Sequence, residues 1–158
     1  MLSEDIWAVL DKIATVSSRL QDTHWVIGSS ALVLAGVHLN HVADVDLLTS
    51  PRDVEILKVI WKDAFVPSYQ PEKESRFRSH FALFRFGNTS LEVMGDLEVK
   101  ISGQWQQLVV GDCQTIDIGG GSVKIPSLEE QKRILRLFGR PKDLLKIAQI
   151  ENHYGLLS

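Results

Sequence analysis

The residues with most chemical potential are three acids and a glycine–serine turn. Asp44 and Asp46 bracket Val45 in the run Asp44-Val45-Asp46-Leu47-Leu48. In a strand, residues two apart project from one face with Cα atoms about 6.6–7 Å apart, so the two carboxylates share a surface. Two acids on one face of a buried strand repel each other and lose hydration, and a divalent cation relieves both costs. Mg²⁺ suits such oxygens because it takes one or two carboxylates and keeps positions for substrate phosphates. Asp-x-Asp alone also occurs in plain strand-end turns.

A third acid, Glu92, stands among apolar neighbours in Leu91-Glu92-Val93-Met94. It faces solvent if its strand is an edge, and it joins the aspartates if its strand lies beside theirs. Upstream, Gly28-Ser29-Ser30 follows the strand-like Trp25-Val26-Ile27 and opens a helical run. Glycine permits close backbone approach, serine adds a hydroxyl, and a helix start favours an anion. A plain cap by Ser29 or Ser30 accounts for the same residues. Together, three acids on two strands opposite such a turn suit two-metal phosphoryl or nucleotidyl transfer.

Such a site needs a sheet with helices to hold it. Ile6, Leu10, Ile13, Val16 and Leu20 mark an amphipathic helix over 3–21, with Ser3 as N-cap. Short strands are expected at 24–27 and 45–48, and a helix over 31–35 closed by Gly36. Ser50-Pro51 opens a helix to about Lys62, with Ser50 capping and Pro51 in the first helical position. An antiparallel series follows: 77–86, 89–94, a chain reversal at Met94-Gly95-Asp96, then 98–101 and 104–110. The strands 115–118 and 123–125 flank the Gly119-Gly120-Gly121 turn. Ser127-Leu128-Glu129-Glu130 reads as a capping box opening a helix to Phe138. Gly139 and Pro141 separate that helix from a last one over 142–152. The pattern is α+β (α/β-like): a mixed β-sheet flanked by helices, with extra β-hairpins.

Composition sets the bounds. The 158 residues carry 17 Lys and Arg against 20 Asp and Glu, a formal charge of −3. That balance offers no broad basic field for duplex DNA. With 44% hydrophobic and 23% charged residues the chain is ordinary globular protein rather than disordered or fibrous. Its length fits one domain over 1–158 and a core that needs no staple. One cysteine, Cys113, excludes a disulfide framework and suits a reducing cytoplasm. No signal-peptide pattern opens the chain, and no apolar run is long enough to span a membrane. A cytoplasmic location is expected. The basic residues Lys132, Arg133, Arg136, Arg140 and Lys142 read as a solvated helix face.

In these motifs the chain resembles the polymerase-β-like nucleotidyltransferase superfamily, particularly its minimal single-domain bacterial and archaeal members. The shared pattern is Gly28-Ser29 in a strand–helix turn, then Asp44-Val45-Asp46, then Glu92 in a later strand. The likeness extends to Ser79-His80-Phe81, Leu91-Glu92-Val93-Met94-Gly95-Asp96, Lys124-Ile125-Pro126-Ser127-Leu128-Glu129 and Gly139-Arg140. The resemblance implies a nucleotidyltransferase fold and transfer of NMP from an NTP, ATP above all, to a hydroxyl acceptor with release of pyrophosphate. It implies that Asp44, Asp46 and Glu92 are catalytic and bind two Mg²⁺ ions, and that Gly28, Ser29 and Ser30 hold the triphosphate. The acceptor stays open between a small molecule, tRNA and a protein.

Two departures, the absence of a hydroxyl residue in Asn40-His41-Val42-Ala43 and Glu rather than Asp at 92, leave an alternative. It is a catalytically degenerate nucleotidyltransferase-fold binding module or a member of a toxin–antitoxin pair. His80 is either a sheet-edge histidine or a further nucleotide contact, and Lys142 either a surface cation or a phosphate contact. Asp96 stands in for Glu92 if that side chain points away. Trp25, Trp61 and Trp105 suit packing, and the sequence does not say which of them could stack on a base. A single small domain leaves its cleft half open, which a homodimer could close.

Overall fold

Helix starts fall where a side chain can satisfy free backbone N–H groups. Ser3 accepts from Ile6 N at 3.3 Å and opens α1 (Glu4–Val16). Ser50 accepts from Asp53 N at 3.3 Å and, with Pro51 as the first helical residue, opens α3 (Pro51–Ile60). Ser127 accepts from Glu130 N at 3.2 Å and opens α4 (Leu128–Phe138). The expected capping box is only half formed. The Glu130 carboxylate accepts from Gly111 N and from Arg133 instead of returning to Ser127. The structure is a computed structural model that describes residues 2–71 and 76–157.

The remaining elements are β1 (Trp25–Ile27), α2 (Gly28–Leu34), β2 (Asp44–Thr49), β3 (Phe77–Phe86), β4 (Thr89–Ile101), β5 (Gln104–Gln107), β6 (Cys113–Ile118), β7 (Gly121–Pro126) and α5 (Pro141–Leu157). The main sheet runs β1-β2-β4-β3, with β5 continuing on β4, and β6–β7 is a separate hairpin. Strands β2 and β4 are parallel while β1, β3 and β5 pair antiparallel. The expected α+β architecture with a mixed sheet and hairpins is what the chain adopts.

Strand alternation sorts the sheet into two faces. Val26, Val45, Leu47, Ala82, Phe84, Leu91 and Val93 pack with Ile6, Val9, Leu10 and Ile13 of α1 and with Val54 and Leu57 of α3. On the other face, Ile27, Leu48, Leu97 and Val99 meet Ile134 and Phe138 of α4. Helix α5 is anchored by Ile150, which packs with Leu32, Val37 and Leu135. Because Val45 and Leu47 are committed to the first face, Asp44 and Asp46 must emerge on the second.

Three expectations are corrected. Helix α1 ends at Val16 and a 3-10 turn at 17–19 takes over, so the 3–21 helix is shorter than its apolar spacing suggested. Helix α2 begins at Gly28, three residues early, which moves Gly28 and Ser29 into its first turn. Most consequentially, Met94-Gly95-Asp96 does not reverse the chain. Strand β4 runs through it, and the register against β3 slips between Arg78 and His80 while Asp96 takes φ +50°. Gly95 is needed because α3 begins against it. A Cβ there would stand 2.8 Å from Pro51 N and 2.9 Å from the Ser50 carbonyl carbon.

Candidate active site

The register of three strands brings the acids together. Ile27 pairs with Asp46 across β1–β2, and Asp46 pairs with Glu92 across β2–β4. Asp44 pairs with Ser90 two positions earlier. Asp44, Asp46 and Glu92 all line one open cleft of about 770 Å³ together with Gly28 and Ser29. Asp44 is exposed at its rim, whereas Asp46 and Glu92 are half-buried.

That burial has an electrostatic consequence. Loss of hydration, then the nearby charges of Glu92 and Asp44, push the Asp46 carboxyl well above the usual carboxylate range. Asp46 and Glu92 share a hydrogen bond that favours the protonated form. Among the described residues, no three His, Cys, Asp or Glu side chains stand at metal-ligand geometry. The chemistry of the donor set nonetheless fits a hard cation. It offers only carboxylate oxygens, and a cation there would relieve the burial and like charge that raise the Asp46 carboxyl.

The turn at 28–30 divides its labour. Gly28 has φ +73°, a conformation that glycine adopts without strain, and it lies against the Asp46 carboxylate. Ser29 is half-buried in the cleft, and its hydroxyl makes no hydrogen bond among the described residues. Ser30 is buried and donates to the Asp44 carbonyl oxygen at 3.0 Å, which ties α2 to the start of β2.

The structure does not bring His80 into the cleft. Its side chain lies on the α3 face of the sheet, where Nε2 meets Glu55 Oε2 at 2.7 Å. Lys142 does reach the cleft, from the first turn of α5.

Asp143 and Lys146 of this wall escaped the sequence analysis, and Arg140, read there as part of a solvated face, belongs to it too. Arg140 lines the cleft, and its fork donates to the buried Asp143 at 2.6 and 3.0 Å. Lys146, half-buried one turn beyond Lys142, also faces the cleft. Burial pulls its ammonium below the ordinary lysine range, while the Asp143 and Asp46 charges oppose that. The Lys142–Lys146 spacing of one helical turn was the signal available in the sequence. The basic run 132–142 is therefore not a uniform solvated face. Lys132 is buried and bridges to Glu151 at 2.6 Å, and Arg140 and Lys142 turn into the cleft.

The fold is the one that solved nucleotidyltransferase structures share. No protein-family model matches the chain, and no curated protein is significantly similar to it. Solved structures do match. A candidate nucleotidyltransferase from Thermotoga maritima, TM1012, superposes with TM-score 0.77 at 21% identity, over 97% of this chain and 96% of that one. The antibiotic-resistance factor ANT(2'')-Ia gives TM-score 0.57 at 13% identity over 94% and 83%. The lincosamide antibiotic adenylyltransferase LnuA, solved with lincomycin bound, gives 0.56 at 12% over 96% and 97%.

Proposed function

We propose that this chain is a Mg²⁺-dependent nucleotidyltransferase that moves the NMP of an NTP, with ATP as first candidate, to a hydroxyl of an acceptor. The observation that carries this reading is the line from Gly28 through Asp46 to Glu92 across neighbouring strands of a cleft with basic residues on its other wall. Asp44, Asp46 and Glu92 would hold two divalent cations. Bound there, Mg²⁺ supplies neutralisation of charge on the α-phosphate and the leaving group. Gly28 lets the triphosphate approach the backbone, Ser29 offers a hydroxyl donor, and Lys142 and Lys146 offset phosphate charge from α5. The acceptor oxygen attacks the α-phosphorus in line as the bond to pyrophosphate breaks. Glu92 would take the acceptor's proton. Ser30 acts indirectly, by holding β2 against α2.

Calorimetric titration with ATP tests this. Affinity that appears with Mg²⁺ and disappears in Asp44→Ala/Asp46→Ala supports the reading, and no Mg²⁺-dependent affinity for any NTP overturns it. One observation favours a second reading, a binding module without catalysis or a toxin–antitoxin partner. The stretch Asn40-His41-Val42-Ala43 puts no hydroxyl residue just before Asp44. On that reading the same double variant leaves biological activity unchanged.

A further inference from the structure

Arginine forks recur across this molecule, and one of them stands apart. Arg52, Arg78 and Arg133 each donate Nε and Nη2 to a carboxylate, with side chains 65%, 53% and 47% exposed. Arg140 makes the same fork to Asp143, but its side chain is 28% exposed and that of Asp143 only 1%. The Arg140 guanidinium also packs over two rings, 4.9 Å from Phe77 and 5.5 Å from Phe138. Asp143 accepts in addition from Arg140 N at 3.1 Å, which caps the start of α5. A buried ion pair gains little over an apolar replacement, so stability alone does not account for this one.

The fork leaves a second edge open. A guanidinium carries five N–H donors, and Asp143 takes only one on Nε and one on Nη2. Nη1 donates to no acceptor among the described residues. The Nη1–Nη2 edge matches a phosphate bidentately. Arg140 lines the cleft on the face of the acids, since Phe77 and Phe138 share a core with Ile27 and Leu48. Asp46 feels the charge of Lys146. Arg140 lies six residues before Lys146, about 9 Å along the helix axis, with Lys142 between them. A triphosphate anchored by its α-phosphorus at the acids extends its outer phosphates along such a row. We propose that Arg140 holds the terminal phosphates of the nucleotide through its open edge, and that Asp143 is its positioning residue. The inference rests on the proposed function only in taking those phosphates to be an NTP's. Carboxylate and rings fix the guanidinium before any ligand arrives, so little side-chain entropy is lost on binding.

Calorimetric titration of the full chain with ATP and with inorganic tripolyphosphate, each with Mg²⁺, tests this. Arg140→Lys keeps the charge and loses the edge, so affinity for both ligands is expected to fall about ten-fold. Asp143→Asn keeps the shape and removes a negative charge, which by itself would tighten anion binding. A smaller fall is expected there, and it reads lost orientation. That fall should vanish in the Arg140→Lys background, whereas a merely structural role acts equally in both. Arg140→Lys leaves Asp143 a cationic partner and carries the test if Asp143→Asn does not fold. Unchanged affinity for both ligands in Arg140→Lys overturns the contact. A fall for ATP alone also overturns it, since Arg140 would then meet the base or ribose. Equal effects of Asp143→Asn in the two backgrounds overturn its positioning role. Arg140-dependent tripolyphosphate binding without Mg²⁺-dependent ATP affinity keeps the contact and removes the proposed enzyme. Mg²⁺-dependent ATP affinity that Arg140→Lys leaves intact does the reverse.

Discussion

The backbone at Gly28 passes so close to Asp46 that a Cβ at residue 28 would stand 2.6 Å from Asp46 Oδ2. Steric and conformational demands coincide there, since φ is +73°. Gly28→Ala is expected to cost about 1–3 kcal/mol of stability and to displace the carboxylate. Mg²⁺-ATP affinity should fall at least about ten-fold, as read by calorimetry beside a thermal melt. An unchanged affinity would show that the close approach has no part in binding.

The raised Asp46 carboxyl makes the cation-free protein sensitive to pH. A carboxyl held above its unfolded value of about 4 contributes stability when protonated, and that contribution is lost as pH rises toward the folded value. The slope is about 1.4 kcal/mol for each pH unit in which Asp46 alone stays protonated. Melting temperature in chelator is therefore expected to fall between mildly acidic and neutral pH. Asp46→Asn should flatten that fall, melt higher than native protein at neutral pH and transfer no NMP.

Lys146 is half-buried with Asp46 and Asp143 as the opposing charges it feels. Replacing it with Met, similar in length and uncharged, should leave the melting temperature level or slightly higher because a desolvated cation is removed. The KM for ATP should rise about ten-fold, with a smaller effect on kcat. An unchanged KM would place Lys146 outside nucleotide binding.

Asp53 is fully buried and accepts three hydrogen bonds, from Gln21 N at 2.8 Å, Asp22 N at 3.1 Å and Thr49 Oγ1 at 2.8 Å. Asp53→Ala strands those donors and should cost about 3 kcal/mol. Urea unfolding reads that loss directly, and ATP affinity of the folded fraction should be unchanged.

The acids were legible in the sequence because strand alternation is a local property. Once Val45, Leu47, Leu91 and Val93 claim one face, Asp44, Asp46 and Glu92 are left the other. The pairing of Asp46 with Glu92 depends on which strand lies beside β2, and the resemblance supplied that where periodicity could not. The path of β4 was misread because Gly95 and Asp96 look like turn residues. Gly95 is there for the close passage of Ser50 and Pro51, a contact between segments distant in sequence. His80 was left open between a sheet-edge residue and a nucleotide contact, and its place on the α3 face is that of the first. Its neighbours Ser79 and Phe81 line the cleft, and alternation sends His80 to α3. The Lys142–Lys146 spacing shows a shared helix face, but that this face turns to the cleft needed tertiary structure, since α5 reaches it through long-range packing.

Strand β4 carries a register shift at 95–97, between Glu92 and Glu98. Leu91 and Val93 before it face α1 and α3, whereas Leu97 and Val99 beyond it face α4. The shift therefore turns the strand over, so one strand feeds both cores and Glu98 is left on the face opposite Glu92.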